Sequence, residues 1–310
     1  MNNRTTRQVT SGTTVGEGGK PHGSLLTLYR HMLTSRRVDE FERELVASRE
    51  GFFHVAGAGH EATAVFHFAL EDHDWLHLHY RDKALMLARG IPPAMFFHAL
   101  IGNAESHSMG RQMSAHMSDP ARRILSLVGP VGNNALQAVG VAAEVRDEPE
   151  RPVVLCAVGD GTSQQGEFLE AVAEAVRSRL PVLFLIEDNA YSISTLTGGK
   201  TFYDLPDGPA NSFHGLPVHR LDGRYPAECM EPAAALTQRV RDSREPALAV
   251  SKAERPTNHT TADDHRVYRR EAEVARAAPE GDPIHNLRRG LLAAGIEEGE
   301  LVRLEEDVRE

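Results

Sequence analysis

Two short polar groupings, each closing an apolar run, are where this chain's residue types could do chemistry. Gly159-Asp160-Gly161 follows VVLCAV and Asp188-Asn189 follows VLFLI, with residues 162–187 between them. A carboxylate and an amide oxygen are hard donors of the kind Mg2+ takes, its remaining positions going to phosphate oxygens and water. Glycine on each side of Asp160 lets backbone approach a bulky anion. The helix that starts after Gly161, at Thr162, offers unpaired N–H groups to a phosphate. A diphosphate bridged by a divalent ion satisfies all of these groups. Taken alone, a Gly-Asp-Gly turn fits an ordinary strand–turn–helix junction equally well.

The groupings must be carried by strand ends. ILSLV (Ile124 to Val128), VVLCAV (Val153 to Val158) and VLFLI (Val182 to Ile186) are short apolar runs, alternating with helical stretches from Ala135 to Val145 and from Gln164 to Arg179. Such alternation predicts an α/β fold with a mostly parallel sheet and helices on both faces. Asp160 and Asn189 then emerge at carboxyl ends of strands, where open sheets of this type bind ligands. Weaker strands are expected at Leu216 to Leu221 and Ala247 to Val250. Ahead of the sheet, Leu25, Leu28, Met32, Val38, Phe41 and Leu45 predict an amphipathic helix from Ser24, as N-cap, to about Glu50. Gly51 breaks it, a second helix covers Ala62 to Leu70, a short one falls between Trp75 and Gly90, and another runs from Pro93 to about Ile101. Residues 102–123 read as a long ordered loop. After Glu271 the chain is charged and helical, with Leu287, Leu291, Leu292, Leu301 and Leu304 as a packing stripe. The expected division is a flexible tail over residues 1–23, a main domain over 24–270 and a C-terminal helical extension over 271–310.

With these motifs in hand, the chain resembles the alpha subunits of thiamine-diphosphate-dependent 2-oxo acid dehydrogenases. The spacing from Gly-Asp-Gly to Asp188-Asn189 is similar to the thiamine-diphosphate motif, with Asp188 where the first of two asparagines usually stands. EDNAYSIST is similar to the family's sequence at this point, and implies that the Tyr191 backbone carbonyl joins Asp160 and Asn189 on the metal. GFFHVAGAGHEA resembles the loop that places a histidine, here His54, near the cofactor's reactive ring, where it could stabilise charge on the substrate. HYRDKALMLARG implies that Tyr80 and Arg81 contact the diphosphate, Arg81 with forked donors. GRQMSAHMSDP is similar to a loop in which Arg111, Gln112 and His116 order the site, with Ser114 in place of the usual proline. SLVGPVGNNALQAVG implies that Gly129 and Val131 face the aminopyrimidine, while Asn133 and Asn134 depart from the potassium-holding pattern of branched-chain members. NHTTADDHRVYRR resembles the loop that orders over the diphosphate, with His259 as phosphate contact and catalytic candidate and Asp263, Arg266, Tyr268 and Arg269 holding the loop together.

The resemblance implies a thiamine-diphosphate-binding fold, thiamine diphosphate and Mg2+ as cofactors, and oxidative decarboxylation of a small 2-oxo acid in which the cofactor ring is the electron sink. It further implies acyl transfer to a lipoyl group on an acyltransferase core. The glutamate that activates the aminopyrimidine comes, in the family, from a beta half, so a beta subunit in an α2β2 assembly, or a fused beta domain, is the implied partner. Two rival readings are an acetoin dehydrogenase alpha subunit on the same scaffold and a degenerate, non-catalytic structural or regulatory paralogue. The latter is favoured by Asp188 and by Gln165 where an acidic residue is common. A nicotinamide-binding Rossmann enzyme is excluded, since no G-x-G-x-x-G follows a strand.

Bulk composition agrees. The formal net charge of −10 over 310 residues argues against nucleic acid as partner. Two cysteines, Cys156 and Cys229, have neither disulfide-framework nor metal-ligand spacing, which fits a reducing cytoplasm. No apolar run approaches the roughly 20 residues of a membrane span.

Overall fold

The computed structural model describes residues 21–310. The expected flexible tail therefore lies, up to residue 20, outside the described residues. Helix α1 (Pro21–Ala47) opens the fold, with proline in the first turn instead of Ser24 as cap. It ends where Arg49 turns left-handed (φ 67°) and the amides of Glu50 and Gly51 both return to the Leu45 carbonyl. A 3-10 helix (Glu61–Phe68) occupies the second expected helix. Then come β1 (Trp75–His77), α2 (Lys83–Ala88), α3 (Pro93–Ile101), α4 (Asn133–Val145), β2 (Val154–Gly159), α5 (Gly166–Ser178) and β3 (Val182–Asp188). Two small hairpins follow, β4 (Tyr191–Ser192) with β5 (Thr195–Leu196) and β6 (Asp204–Leu205) with β7 (Gly208–Pro209). The chain closes with β8 (Ser212–Phe213), β9 (Leu216–Asp222), α6 (Pro226–Ser243), β10 (Ala247–Lys252), α7 (Glu271–Glu280), α8 (Pro283–Ala293) and α9 (Glu298–Arg309).

The main sheet has the order β1-β2-β3-β10-β9-β8 and is parallel except at the β8–β9 pair. Period-two alternation divides its side chains between two cores. Leu155, Ala157, Leu183, Leu185 and Ala249 pack on one face against α1, α2, α6 and α8. Val154, Cys156, Val158, Phe184 and Ile186 pack on the other against α4 and α5. Both faces are covered, as the continuous apolar runs require. Leu287, Leu291 and Leu301 of the C-terminal helices are buried in the first core, with Leu292 and Leu304 at its edge. No helix among the described residues is long and apolar enough to cross a membrane.

One expected strand is displaced. Ile124 to Val128 forms only isolated bridges, Leu76 to Ile124 and Asp119 to Ile124, and the edge strand is Trp75–His77 instead. The tight turn from Asp119 to a left-handed Arg123 (φ 55°) feeds Ile124 in at one point, and the chain leaves again before a ladder forms. Ile124 and Leu127 are nonetheless buried, so their apolar signal reports core position without pairing.

One packing detail makes a pH prediction. His31 of α1 meets His67 edge-on, ring centroids 5.5 Å apart. Burial, then His67 and Arg30, pushes the His31 imidazole down to about 4 from an ordinary 6.5. The folded chain therefore holds His31 neutral, while the unfolded chain takes up a proton there below pH 6.5. This penalty is absent above 6.5 and grows as pH falls toward 4. His31→Phe should gain thermal stability relative to the parent chain between about pH 7.5 and about pH 4.5. Melting curves across that range check it, and a pH-independent difference refutes it.

Candidate functional site

Strand register brings the two polar groupings together. Gly159 pairs with Glu187 across β2 and β3, and the Asp160 amide donates to the Glu187 carbonyl at 3.2 Å. Asp160, Gly161, Thr162, Asn189, Tyr191, Tyr80, Arg81, Val131 and His259 all line one cavity of about 140 Å3. Local backbone is built for close approach. A Cβ on Gly161 would lie 2.3 Å from Ser192 Oγ, so only glycine lets the hairpin pass over the β2 turn. Gly132, at φ 93°, begins α4 where a Cβ would lie 2.9 Å from that of Gln165.

The cavity has an acidic and a basic side. Asp160 accepts from Thr197 Oγ1 at 2.6 Å and from the Gly161 amide at 2.9 Å. Burial raises its carboxyl above the ordinary value, against those bonds. Asn189 Oδ1 accepts the Tyr191 amide at 3.1 Å. The buried Arg81 donates to the Ala56 carbonyl and, through Nη2, to His259 Nδ1 at 2.9 Å. Burial, then Arg81 and Arg255, pushes His259 down to about 4. Its ring is neutral near pH 7, and with Nδ1 accepting from arginine the hydrogen sits on Nε2. Tyr80 lies against both, its ring 5.1 Å below the Arg81 guanidinium and 6.3 Å from the His259 ring. Two side-chain oxygens and a fixed guanidinium lining one cavity form a set that could hold a divalent ion and a phosphate chain.

Other sequence-predicted residues fall elsewhere. Asp188 turns out of this cavity into a neighbouring one lined by Arg220, Asp222 and Lys252, and its Oδ1 accepts the Ala190 amide at 2.9 Å. An aspartate at that position therefore does not line the Asp160–Asn189 cavity, though its charge helps raise the Asp160 carboxyl. Gly129 is exposed and does not line the cavity. Arg111 is exposed and Gln112 bonds His107 at 2.7 Å, whereas His116 stacks near Tyr80, centroids 6.4 Å apart. His54 is also outside this cavity. Its Nε2 bonds Asp39 Oδ1 at 3.1 Å, and its backbone exchanges bonds with Thr261. It lines a second cavity of about 530 Å3 with Asn258, Thr260 and Thr261. His259 faces the smaller cavity and its two neighbours the larger, so this loop runs between them. Tyr268 and Asp263 brace it, Tyr268 Oη donating to Asp263 Oδ2 at 2.5 Å while Asp263 also accepts the His259 amide at 2.8 Å. Arg269 donates to the Arg255 carbonyl and to Glu273, while Arg266 is exposed and paired only with Asp264.

Sequence reasoning missed a buried polar cluster behind Asn189. His60 Nδ1 lies 2.6 Å from Glu187 Oε2, and its Nε2 lies 3.0 Å from Asn189 Nδ2. Burial lifts the Glu187 carboxyl to about 7, and burial and then Glu187 lift that of Asp82 well above its ordinary value. Thr197, Ser192, Gln165 and His79 were missed as well. The available signals were the histidine of GHEA and a glutamate ending an apolar run.

A model of the family described as dehydrogenase E1 component matches residues 29–310. Over 290 residues the chain is 32% identical to the alpha subunit of the pyruvate dehydrogenase E1 component of Zymomonas mobilis, covering 92% of this chain and 81% of that protein. It is 30% identical over 274 residues to the alpha subunit of 2-oxoisovalerate dehydrogenase of Bacillus subtilis, covering 87% and 82%. The human mitochondrial 2-oxoisovalerate dehydrogenase alpha subunit is 27% identical over 278 residues, with 89% of this chain and 62% of that protein covered.

Proposed function

Because the chain belongs to the dehydrogenase E1 component family, we propose that it is the thiamine-diphosphate- and Mg2+-binding alpha subunit of a 2-oxo acid dehydrogenase. The observation that carries this reading is the single cavity that collects Asp160, Asn189, Arg81 and His259 from four separate segments. Bound thiamine diphosphate supplies an electron sink for loss of carbon dioxide from a 2-oxo acid. The chain's own residues hold and orient it. Asp160 and Asn189 offer side-chain oxygens and Tyr191 its carbonyl to the metal. Arg81, the His259 Nε2–H and the Thr162 amide meet the phosphates, Gly161 lines the site with its own amide bonded back to Asp160, and Tyr80 packs beside them. Val131 borders the cavity on the side proposed for the aminopyrimidine. His54 serves by anchoring the His259 loop through Thr261.

A partner is part of the proposal. A cavity of about 140 Å3 falls below the roughly 300–1,000 Å3 of complete small-molecule sites. Val131 borders it half-exposed, as does Ile193, and Leu196 stands similarly exposed on the adjoining hairpin. Exposed apolar residues around a half-sized site are what a beta subunit or fused beta domain would cover. The assembly would be α2β2, delivering its acyl group to a lipoyl acyltransferase core.

Calorimetry tests the cofactor reading. With a beta chain present, thiamine diphosphate should bind only when Mg2+ is supplied, and heat-free titrations with the metal would instead identify a non-catalytic paralogue. Pyruvate, 3-methyl-2-oxobutanoate and acetoin, assayed on the same assembly, then separate the substrate classes. Enzyme-like turnover by the purified chain alone would overturn the partner requirement.

A further inference from the structure

The amide of Asn189 must present oxygen, not nitrogen, to a cation, and an amide can be turned either way. Two neighbours decide it. The Tyr191 backbone N–H, which can only donate, lies 3.1 Å from one Asn189 terminal atom, so that atom is Oδ1. The other terminal atom is then Nδ2, a donor, and it lies 3.0 Å from His60 Nε2. His60 Nε2 must accept, which leaves the ring hydrogen on Nδ1, 2.6 Å from Glu187 Oε2. Glu187 Oε1 lies 3.7 Å from His79 Nδ1. Every member is buried, with His60 2% and Glu187 1% exposed, so water does not compete for these bonds.

We propose that His60, held in one tautomer by Glu187, is a positioning residue that fixes the Asn189 amide with its oxygen toward the metal. His60 touches neither ion nor phosphate itself, since it does not line the cavity. This rests on Asn189 being a metal ligand as proposed above. Partners behind a ligand that fix its orientation contribute about 10- to 100-fold to metal affinity.

The test is Mn2+ affinity, read by electron paramagnetic resonance on the chain assembled with its partner in the presence of thiamine diphosphate. His60→Met removes the acceptor and the donor at similar volume, and should weaken Mn2+ by about 10- to 100-fold. His60→Gln, whose amide accepts with one atom and donates with the other, should restore most of the affinity. Asn189→Asp carries oxygen at both terminal atoms, so adding His60→Met to it should cost nothing further. His60→Leu takes the place of His60→Met should the thioether chain not fold. Wild-type affinity in the apolar variant overturns the proposal, as does equal loss in H60M and H60Q or an undiminished effect on the N189D background. Failure of the parent assembly to bind Mn2+ would instead sink the cofactor reading.

Discussion

Asp160→Ala should abolish the metal-dependent binding of thiamine diphosphate while leaving the unliganded chain as stable as its parent, or more so. The first half follows from ligand chemistry. Among the described residues Asp160 is the one carboxylate that lines the cavity, and removing a direct ligand should exceed the 10- to 100-fold typical of residues that act from behind one. The second half follows from burial. Asp160 is 2% exposed and its carboxyl is raised above the ordinary range by desolvation, against the bonds from the Thr197 hydroxyl and the Gly161 amide and the nearby His60. A charge held so serves a ligand at the expense of the fold. Thermal shift measurements separate the two effects. At ligand about 100 times Kd the parent assembly should gain about 2.7 kcal/mol, and the variant nothing. A variant that melts well below its parent without ligand, yet still responds to cofactor and metal, would show Asp160 to be a structural group and would remove it from the site.

How much of this was legible beforehand depends on whether the signal was local. Strands β2, β3 and β10 were readable because burial on both faces leaves continuous apolar runs, whereas β9, largely part-exposed with His219 and Arg220 inside it, read only weakly; Asp160 and Asn189 were readable because polar residues end such runs. Edge strand β1 was not, since three residues carry no periodicity, and ILSLV misled because a buried loop needs apolar residues as much as a strand does. Helix α6 carries Pro232 in its interior and mixes charge with alanine, so it gave no clear stripe. The cluster behind Asn189 joins His60 to Glu187 across the fold, and no spacing in the chain announces it. His54 shows the same limit from the other side. Its loop resembles one that faces a cofactor, yet the ring here is turned to a carboxylate on α1, and only tertiary structure reveals that Asp39 and Lys83 wait there.

That inward cluster sets the second large effect. Lys83 is fully buried, with Nζ 2.6 Å from Asp39 Oδ1 and bonded also to Glu42 Oε2. Asp39 further accepts the Gly57 amide at 2.7 Å and His54, while Glu42 Oε1 accepts the Ser114 hydroxyl at 2.5 Å. Burial drives the Asp39 carboxyl up, but Lys83 and His54 hold it well below the ordinary carboxylate range. Asp39, Glu42 and His54 could by spacing alone chelate a cation, but the lysine ammonium already fills that role. Lys83→Met keeps the aliphatic bulk and deletes the charge, leaving two carboxylates dry and facing each other. Breaking a buried pair from one side typically costs about 3–5 kcal/mol, because the remaining charge is uncompensated. The damage should extend to function. Asp39 fixes the Gly57 amide and the His54 ring, and the His54 backbone holds Thr261, next but one to His259. Lys83→Met should therefore lower denaturant stability by that amount and also weaken phosphate binding, whereas Lys83→Met with Glu42→Gln, which removes one orphaned charge, should recover part of the loss. Additive destabilisation in the double variant would mean that the lysine stabilises by packing of its stem and not by neutralising the acids.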